Sequence, residues 1–344
     1  MNLISKKMIF SDISRYFYIK LNIMSNLQNS FKYEHCHQAA AAGDIEELKR
    51  MHQSGLPLYA EVMQEIYDEY KDEEWEFEDE ETTTLYCTTE AAKNSHMDCL
   101  IYAHENGCEW NRETTAAAAE NGHLDCLRFL HENGCEWDKQ TTSYAAIGGH
   151  LDCLRYAHEN GCEWNNSTTL SAAAGGHLDC LRYAHENGCE WDDNTPFNAA
   201  IGGHLDCLRY AHKNGCEWDE WTTSWAAKNG HIDCLRYAHE NGCVWNEETT
   251  IEAARNGHLD CLRYAHEKGC EWNEQTPWVA AQNDNLDCLR YLIENNCPYY
   301  DDDELDEKIK QVTIDIQTTK NIISTGLEND INNNVINHII NKYI

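Results

Sequence analysis

The sequence contains no long hydrophobic run and few basic residues. No stretch approaches the roughly 18 uninterrupted apolar residues that a membrane-spanning helix needs. The 344 residues include 26 Lys and Arg against 60 Asp and Glu, which gives a formal net charge of −34 at pH 7. Such a chain has no basic face for nucleic-acid phosphates and is repelled by anionic lipids. We therefore expect neither nucleic acid nor membrane as partner, and we expect the charge to maintain solubility and attract basic partners.

Motifs of catalysis and of metal binding are also missing. The chain has no phosphate-binding loop, nucleophile elbow or dinucleotide fingerprint. It has no Cys-x-x-Cys or His-x-x-x-His pair of the kind that holds zinc. We therefore expect a protein that is not an enzyme, with no catalytic residue, no cofactor and no metal site.

Cysteine is abundant, with 18 residues, and most of it falls into two series whose members follow each other at steps of 27 positions. The first series is Cys99, Cys126, Cys153, Cys180, Cys207, Cys234, Cys261 and Cys288; the second is Cys108, Cys135, Cys162, Cys189, Cys216, Cys243, Cys270 and Cys297. Two cysteines nine residues apart on a helix are separated by roughly 13 Å, and equivalent cysteines in stacked helices by about 8–10 Å. Both distances exceed the ~7 Å that a disulfide can bridge. We therefore expect free thiols and a reducing intracellular compartment, the cytoplasm or the nucleus.

The cysteines belong to a 27-residue block that recurs eight times over residues 87–302 and whose centre reads Gly-His-Leu-Asp-Cys-Leu-Arg-Tyr-Ala-His-Glu-Asn-Gly-Cys-Glu-Trp. Strict register at one period is typical of stacked units that bury their apolar faces against their neighbours. In each unit the pattern predicts two short helices. In the unit that begins at Thr141, Thr141 and Thr142 are expected to cap the first helix. Gly148 and Gly149 are expected to end it, and Gly161 to end the second in the left-handed conformation. Where proline follows the threonine, as at Pro196 and Pro277, it is expected at the first helical position.

These residues together resemble the ankyrin repeat, with a Thr-Pro start at Thr195 and Thr276, paired alanines, a Gly-His-Leu turn and an Asn-Gly helix end. The resemblance covers residues 87–302 and, more weakly, 34–56. It implies an all-α helix-turn-helix solenoid. The family's repeat has about 33 residues, and the missing residues fall where its β-hairpin would lie, so long hairpin fingers are not expected. The Cys-Leu-Arg-Tyr-Ala-His version looks like the short ankyrin-type repeats encoded by giant DNA viruses of amoebae.

Outside the array the sequence divides into further segments. Residues 1–33 are an unassigned N-terminal segment, and residues 34–56 are a divergent first repeat with one face toward water. Residues 57–86 form an acidic insertion, which is either an acidic-aromatic interaction segment or a helix and loop packed on the first repeat. Residues 303–344 are expected to form a C-terminal capping helix and tail.

Three columns of recurring side chains are expected to be structural. The tryptophans at the inter-repeat turns, from Trp110 to Trp272, are expected to cover the core edge that a hairpin would shield. Each arginine of the second helices has Asp three residues before it and most have Glu four after it, which predicts exposed ion pairs. The histidine of Gly-His-Leu matches a family position that forms hydrogen bonds between turns.

A metal-binding alternative would use the recurring set His123, Cys126, His131 and Cys135. However, Cys126 and His131 lie about 140° apart around a helix, so these two side chains cannot bind the same ion.

Function is expected where the repeats differ from one another. The differing positions lie on the first helices, which line the inner, concave face in the fold that the resemblance implies. The expected partner-binding residues are Tyr144, Ile147, Asn198, Ile201, Trp221, Trp225, Lys228, Glu252, Arg255, Trp278 and Gln282. Four residues apart, Trp221 and Trp225 can share one helical face as aromatic anchors. Alternatively, Trp225 fills a gap between repeats.

The sequence therefore predicts a monomeric, non-catalytic scaffold that binds a protein partner on this concave face. Two alternatives remain open. One is an adaptor that recruits targets to a host ubiquitin ligase, which requires an F-box-like module in residues 1–33. The other is a metal-binding protein that uses the columns of Cys and His.

Overall fold

Short helices joined by tight turns make up most of the chain. The computed structural model describes residues 35–62, 83–246, 248–300 and 303–328. The chain divides into two compact units, Met1–Thr168 and Thr169–Ile344. The first unit contains α1 (Cys36–Ala41), α2 (Ile45–Gln53), β1 (Tyr59–Val62), β2 (Thr83–Tyr86), α3 (Cys87–Lys93), α4 (Met97–Glu105), α5 (Arg112–Glu120), α6 (Leu124–Glu132), α7 (Lys139–Ile147) and α8 (Leu151–Glu159).

Helix α9 (Ser167–Ala174) spans the division between the units. The second unit continues with α10 (Leu178–Glu186), α11 (Thr195–Ile201), α12 (Leu205–Lys213), α13 (Trp221–Lys228), α14 (Ile232–Glu240), α15 (Glu248–Arg255), α16 (Leu259–Glu267), α17 (Gln275–Gln282), α18 (Leu286–Glu294) and α19 (Asp303–Glu328). The all-α class predicted from the sequence is confirmed. Within residues 87–300, the described turns that follow the second helices contain no strand, in agreement with the short repeat.

The core of each repeat is built from small side chains of the first helix and larger ones of the second. In α13 the paired residues Ala226 and Ala227 are fully buried, so the first helices of neighbouring repeats can approach closely. In α14 Leu235 and Ala238 are fully buried on one side of the helix, and Cys234 is almost fully buried. Their spacing of one, three and four residues places them on a single face, which is the usual pattern of an amphipathic helix.

The start of the first helix differs from the sequence prediction. Helix α7 begins at Lys139 and is capped by Asp138, whose carboxylate accepts a hydrogen bond from the backbone N–H of Gln140 at 2.9 Å. Thr141 and Thr142 lie inside the helix and are buried, so the expectation that they cap it was wrong. An acidic side chain satisfies the free N–H groups at the helix start and leaves the threonine hydroxyls for other partners.

The threonine hydroxyls and the second cysteine series join each repeat to its neighbour. Thr142 Oγ1 donates to Lys139 O at 2.9 Å and lies 3.3 Å from Thr168 Oγ1 of the next repeat. Cys162 Sγ donates to the backbone carbonyl of Asp138, in the preceding turn, at 3.1 Å. These bonds connect successive turns in the region where the repeat lacks hairpin residues.

The helix ends follow the glycine pattern of the sequence. Helix α7 stops at Ile147, and Gly149 has a φ of 76°. Gly161, after α8, has a φ of 85°. Positive φ is costly for residues with a Cβ, so both glycines were correctly predicted to end helices. The prolines differ slightly from expectation, because Pro196 is the second residue of α11 and Pro277 the third of α17. Both still lie in the first turn, where the N–H has no intrahelical acceptor.

The segments that flank the repeats contain the main departures from the predicted elements. Strands β1 and β2 pair antiparallel, with Tyr59 opposite Tyr86. The two ends of the acidic insertion are therefore strands, where Val, Thr, Leu and Tyr favour this conformation. Residues 63–82, which contain most of the acidic-aromatic stretch, lie outside the described residues, as do residues 1–33 and 329–344.

Helix α19 lies in the C-terminal segment, residues 303–344, for which a capping helix and tail were expected. It has 26 residues, and Leu305 and Val312 are buried. Lys308 Nζ donates to Ala281 O at 2.6 Å and to Asp284 Oδ1 at 2.8 Å, which fixes the start of α19 against the last repeat. Within the described residues, no helix is both long and apolar enough to cross a membrane.

Candidate partner-binding site

The recurring thiols are buried, and those of the second series donate hydrogen bonds to backbone carbonyls. All 18 cysteines are free and buried. Cys243 is representative: burial, followed by the nearby Asp219 carboxylate, raises its pKa to about 12. Its Sγ donates to Asp219 O at 3.1 Å. Thiolate is the nucleophilic and metal-binding form of cysteine, so a thiol of this kind is inert at neutral pH.

The histidines of Gly-His-Leu join consecutive repeats. In the second unit, His204 Nε2 lies 3.1 Å from the backbone carbonyl oxygen of Ala174 and can donate to it. Burial lowers the pKa of His204, which favours the neutral imidazole. In the last repeat Asn285 replaces the histidine, and its Nδ2 donates to Ala254 O and Arg255 O. The role that the resemblance implied for this column agrees with these contacts.

The second column of histidines forms, with Trp, Tyr and Arg, a cluster that we call the aromatic ladder. One example consists of Arg209, His212, Trp218 and Tyr237. The His212 imidazole stacks on Trp218 with 3.8 Å between ring centroids, and its Nδ1 lies 3.1 Å from Tyr237 Oη in the next repeat. Trp218 meets Tyr237 edge to face at 6.0 Å, and the Arg209 guanidinium lies 5.5 Å from the Tyr237 ring centroid. Each step therefore connects two repeats.

The ladder changes the expected role of the arginines. Helical spacing predicted ion pairs, and one occurs between Arg209 Nη1 and Asp206 Oδ1 at 4.0 Å. However, five guanidinium groups lie 5.0–5.5 Å from a tyrosine ring centroid of the following repeat: Arg128, Arg182, Arg209, Arg236 and Arg263. A cation over an aromatic face is attracted by the ring quadrupole. The sequence identified the column but not this partner, because the tyrosine belongs to another repeat.

The metal-binding alternative has to use side chains that have other partners. His123 Nε2 lies 2.9 Å from Lys93 O, and His131 Nδ1 lies 2.9 Å from Tyr156 Oη. Cys135 Sγ donates to Asn111 O. Within the described part of the chain, no group of three or more His, Cys, Asp or Glu side chains has a geometry that could hold a metal ion.

The residues expected to bind a partner lie on first helices and retain solvent exposure. In the first unit these are Tyr144 and Ile147, each 40% exposed, on α7. In the second unit they are Asn198 and Ile201 on α11, Trp221, Trp225 and Lys228 on α13, Glu252 and Arg255 on α15, and Trp278 and Gln282 on α17. We call these nine residues of the second unit the first-helix face.

The tryptophans of the first-helix face differ in their surroundings. Trp221 is 46% exposed and Trp278 is 36% exposed. Trp225 is half-buried: Phe197 of the preceding repeat meets its ring edge to face at 5.6 Å, and Lys228 Nζ lies 3.9 Å from its centroid. Trp225 therefore packs between repeats, while Trp221 and Trp278 present indole surface to solvent.

Val244 is an exposed apolar residue that the sequence prediction missed. It is 63% exposed and lies in the turn after α14. The residue at the corresponding position is Glu in six other turns: Glu109, Glu136, Glu163, Glu190, Glu217 and Glu271. The sequence signal that could have identified Val244 is the one used on the first helices, a residue that differs from its equivalents in the other repeats. Here this signal occurs in a turn.

The described residues thus define an all-α repeat protein in which one helix of each pair is uniform and the other varies. Comparison with known families identifies the class. A model described as "Ankyrin repeats (3 copies)" matches residues 142–220 and 223–303, and one described as "Ankyrin repeats (many copies)" matches residues 115–156. The chain therefore belongs to the ankyrin repeat proteins.

One solved structure illustrates the extent of similarity. The crystal structure of the human ASB11 ankyrin repeat domain is 19% identical in sequence, with a TM-score of 0.40. The match covers 46% of this chain and 84% of that one. A search of curated proteins finds no match.

Proposed function

We propose that this protein binds a protein partner through the first-helix face and performs no catalysis. Ankyrin repeats are generally protein–protein interaction modules, and the resemblance to this family implies that the first-helix face is the concave side of the repeats. The observation that supports the surface most directly is the exposure of Trp221 and Trp278. Exposed tryptophan is unfavourable in water, and tryptophan is among the residues that most often dominate binding energy in interfaces.

The choice of surface also follows from what the other helix does. The second helices place their aromatic and cationic side chains in the aromatic ladder, where they contact the next repeat. The first helices have different residues in each repeat and leave them exposed. A surface that varies without disturbing its neighbours is well suited to the recognition of one particular partner.

The resemblance to repeats of giant viruses makes a host protein the expected partner, with binding by a monomer inside the host cell. The alternative adaptor function at a host ubiquitin ligase stays a prediction, since it depends on residues 1–33. Deleting that segment would have to abolish association with the ligase.

Affinity capture from the natural cellular context tests the proposal. The bait is the full chain, compared with Trp221→Ala/Trp278→Ala. A matched control, Tyr299→Ala/Tyr300→Ala, removes two aromatic residues that are 47% and 50% exposed outside the first helices. We expect a partner that is captured by wild type and control and lost with the tryptophan variant, while circular dichroism stays unchanged. Equal capture by all three baits would contradict the proposed surface.

A further inference from the structure

We infer that the partner contacts the first-helix face through an acidic segment, with carboxylates placed at Lys228 and Arg255 and an apolar residue near Ile201. This inference rests on the proposed function and specifies the chemistry of its partner. The formal charge of −34 on the whole chain favours a basic partner, whereas this inference specifies an acidic one.

The local charge at the centre of the first-helix face is positive. Lys228 Nζ lies 3.9 Å from Glu252 Oε2, and Arg255 Nε lies 3.0 Å from Glu252 Oε1. Two cations therefore share one carboxylate. The side chains of Lys228 and Arg255 are each 36% exposed, whereas that of Glu252 is 16% exposed. A partner approaching this surface meets the two cations more than the carboxylate.

The surrounding helices offer little further negative charge. Along α13, α15 and α17 the only other charged side chain is Glu248, which lies at the first turn of α15, where a carboxylate is favourable. Lys228 and Arg255 are the last residues of α13 and α15. The acidic residues of the second unit lie mainly elsewhere, for example the exposed Asp206 and Asp233 of the second helices α12 and α14.

Burial under a partner makes the charge imbalance costly. A charge removed from water is tolerated when it is paired and hydrogen-bonded. Covering this site with an apolar partner would leave two cations with one carboxylate, and a basic partner would add a third cation. A carboxylate from the partner would complete the pairing and would gain charge-assisted hydrogen bonds. Charge complementarity therefore selects an acidic segment.

The row of residues that contains both cations also suggests the spacing of that segment. Ile201, Lys228, Arg255 and Gln282 are the last residues of four successive first helices. Neighbouring helices pack about 8–10 Å apart, and an extended chain advances about 3.3 Å per residue. An extended segment that follows the row would thus place every third residue at a new helix. The expected pattern is an apolar residue followed by acidic residues about three and six positions later.

A library of random peptides displayed on phage tests the inference with the full chain as the target. We expect selected peptides to be acidic, with apolar residues beside the acids. Binding of the most enriched peptide, synthesised with a fluorescent label, is then measured by anisotropy. Lys228→Gln/Arg255→Gln should weaken it by about tenfold or more, because a carboxylate loses its partners. Glu252→Gln should strengthen it about threefold, because both cations are released from their shared carboxylate.

The control variant Lys213→Gln/Lys268→Gln removes the same charge from exposed positions on the second-helix side, so it separates local contact from the field of the whole protein. It should change affinity less than about twofold. Enrichment of basic peptides, weaker binding by Glu252→Gln, or failure to select any peptide sensitive to Lys228 and Arg255 would overturn the inference. Peptides that depend on Trp221 and Trp278 but not on the cations would overturn it while leaving the proposed function intact.

Discussion

The two helices of each repeat in the second unit differ in where their side chains find partners. On the second helix α12, Arg209 and His212 both contact Tyr237 of the following repeat. On the first helix α13, Trp221 is 46% exposed to solvent. A change on the second helix disturbs two repeats, whereas a change at an exposed position of the first helix disturbs none. The near-identity of the second helices and the variety of the first follow from this difference.

The largest expected effect contrasts the core with the first-helix face. Leu235 on α14 is fully buried, so Leu235→Ala should lower the free energy of unfolding by about 2–5 kcal/mol through the lost contacts and the cavity. Trp221→Ala should change it by less than about 0.5 kcal/mol. Urea unfolding followed by circular dichroism measures both. A similar loss for the two variants would show that Trp221 supports the fold, and the proposed division between the helices would fail.

A smaller effect is expected within the aromatic ladder. Tyr237→Phe keeps the ring beneath Arg209 and removes the hydroxyl that lies 3.1 Å from His212 Nδ1. The loss should cost about 1 kcal/mol in the free energy of unfolding. Tyr299→Phe is the control, because Tyr299 is exposed and lies outside the ladder. If both substitutions have the same effect, the hydroxyl does not connect the repeats.

The buried threonines allow a test of the bonds between first helices. Thr115 and Thr141 hydroxyls lie 3.4 Å apart, as do those of Thr223 and Thr249. In both pairs the second threonine of one repeat lies beside the first threonine of the next, 26 residues later. The residue in that position beside Thr222 is Pro196, which has no hydroxyl, and Thr222 Oγ1 is buried without a hydrogen-bond partner. Pro196→Thr should therefore be more stable than Pro196→Ala by about 0.5–1.5 kcal/mol. The alanine variant accounts for the loss of proline rigidity. Equal melting temperatures would show that the restored hydroxyl forms no useful bond.

The smallest effect concerns pH and the histidines between repeats. Burial lowers the pKa of His204 below its ordinary value of 6.5. The unfolded chain then binds the proton more readily, so this histidine contributes stability above pH 6.5 that is lost as the pH falls toward its folded pKa. His204→Asn keeps a donor for the carbonyl, as Asn285 does in the last repeat. Urea unfolding at pH 7.5 and 5.5 should show a smaller loss on acidification for the variant. An unchanged loss would mean that His204 does not contribute.

The parts of the fold that the sequence predicted are those in which one residue determines a local outcome. Gly149 and Gly161 end helices because positive φ is costly for other residues. Free thiols followed from spacings that no disulfide can bridge. The start of α7 was missed because Asp138 and the two threonines all have oxygens suited to a cap. Local sequence does not decide which of them is buried, and burial depends on the neighbouring repeat.

Candidate binding residues could be identified from differences between repeats, but their exposure could not. For Trp225 the sequence left both partner contact and packing between repeats open. In the structure Phe197, one repeat earlier, packs against Trp225, whereas Trp221 is 46% exposed. Val244 was overlooked since it lies in a turn.

The period, the helical class and the buried thiols were determined by the sequence alone, because a fixed 27-residue spacing of small, apolar and glycine positions permits one repeating local geometry. Tertiary structure decided the partners across repeats: tyrosine beneath arginine, and Lys228 beside Glu252. Such contacts join residues 24–28 positions apart along the chain. Their identity depends on how closely two helices approach and on which side chains reach across, and no local pattern contains that information.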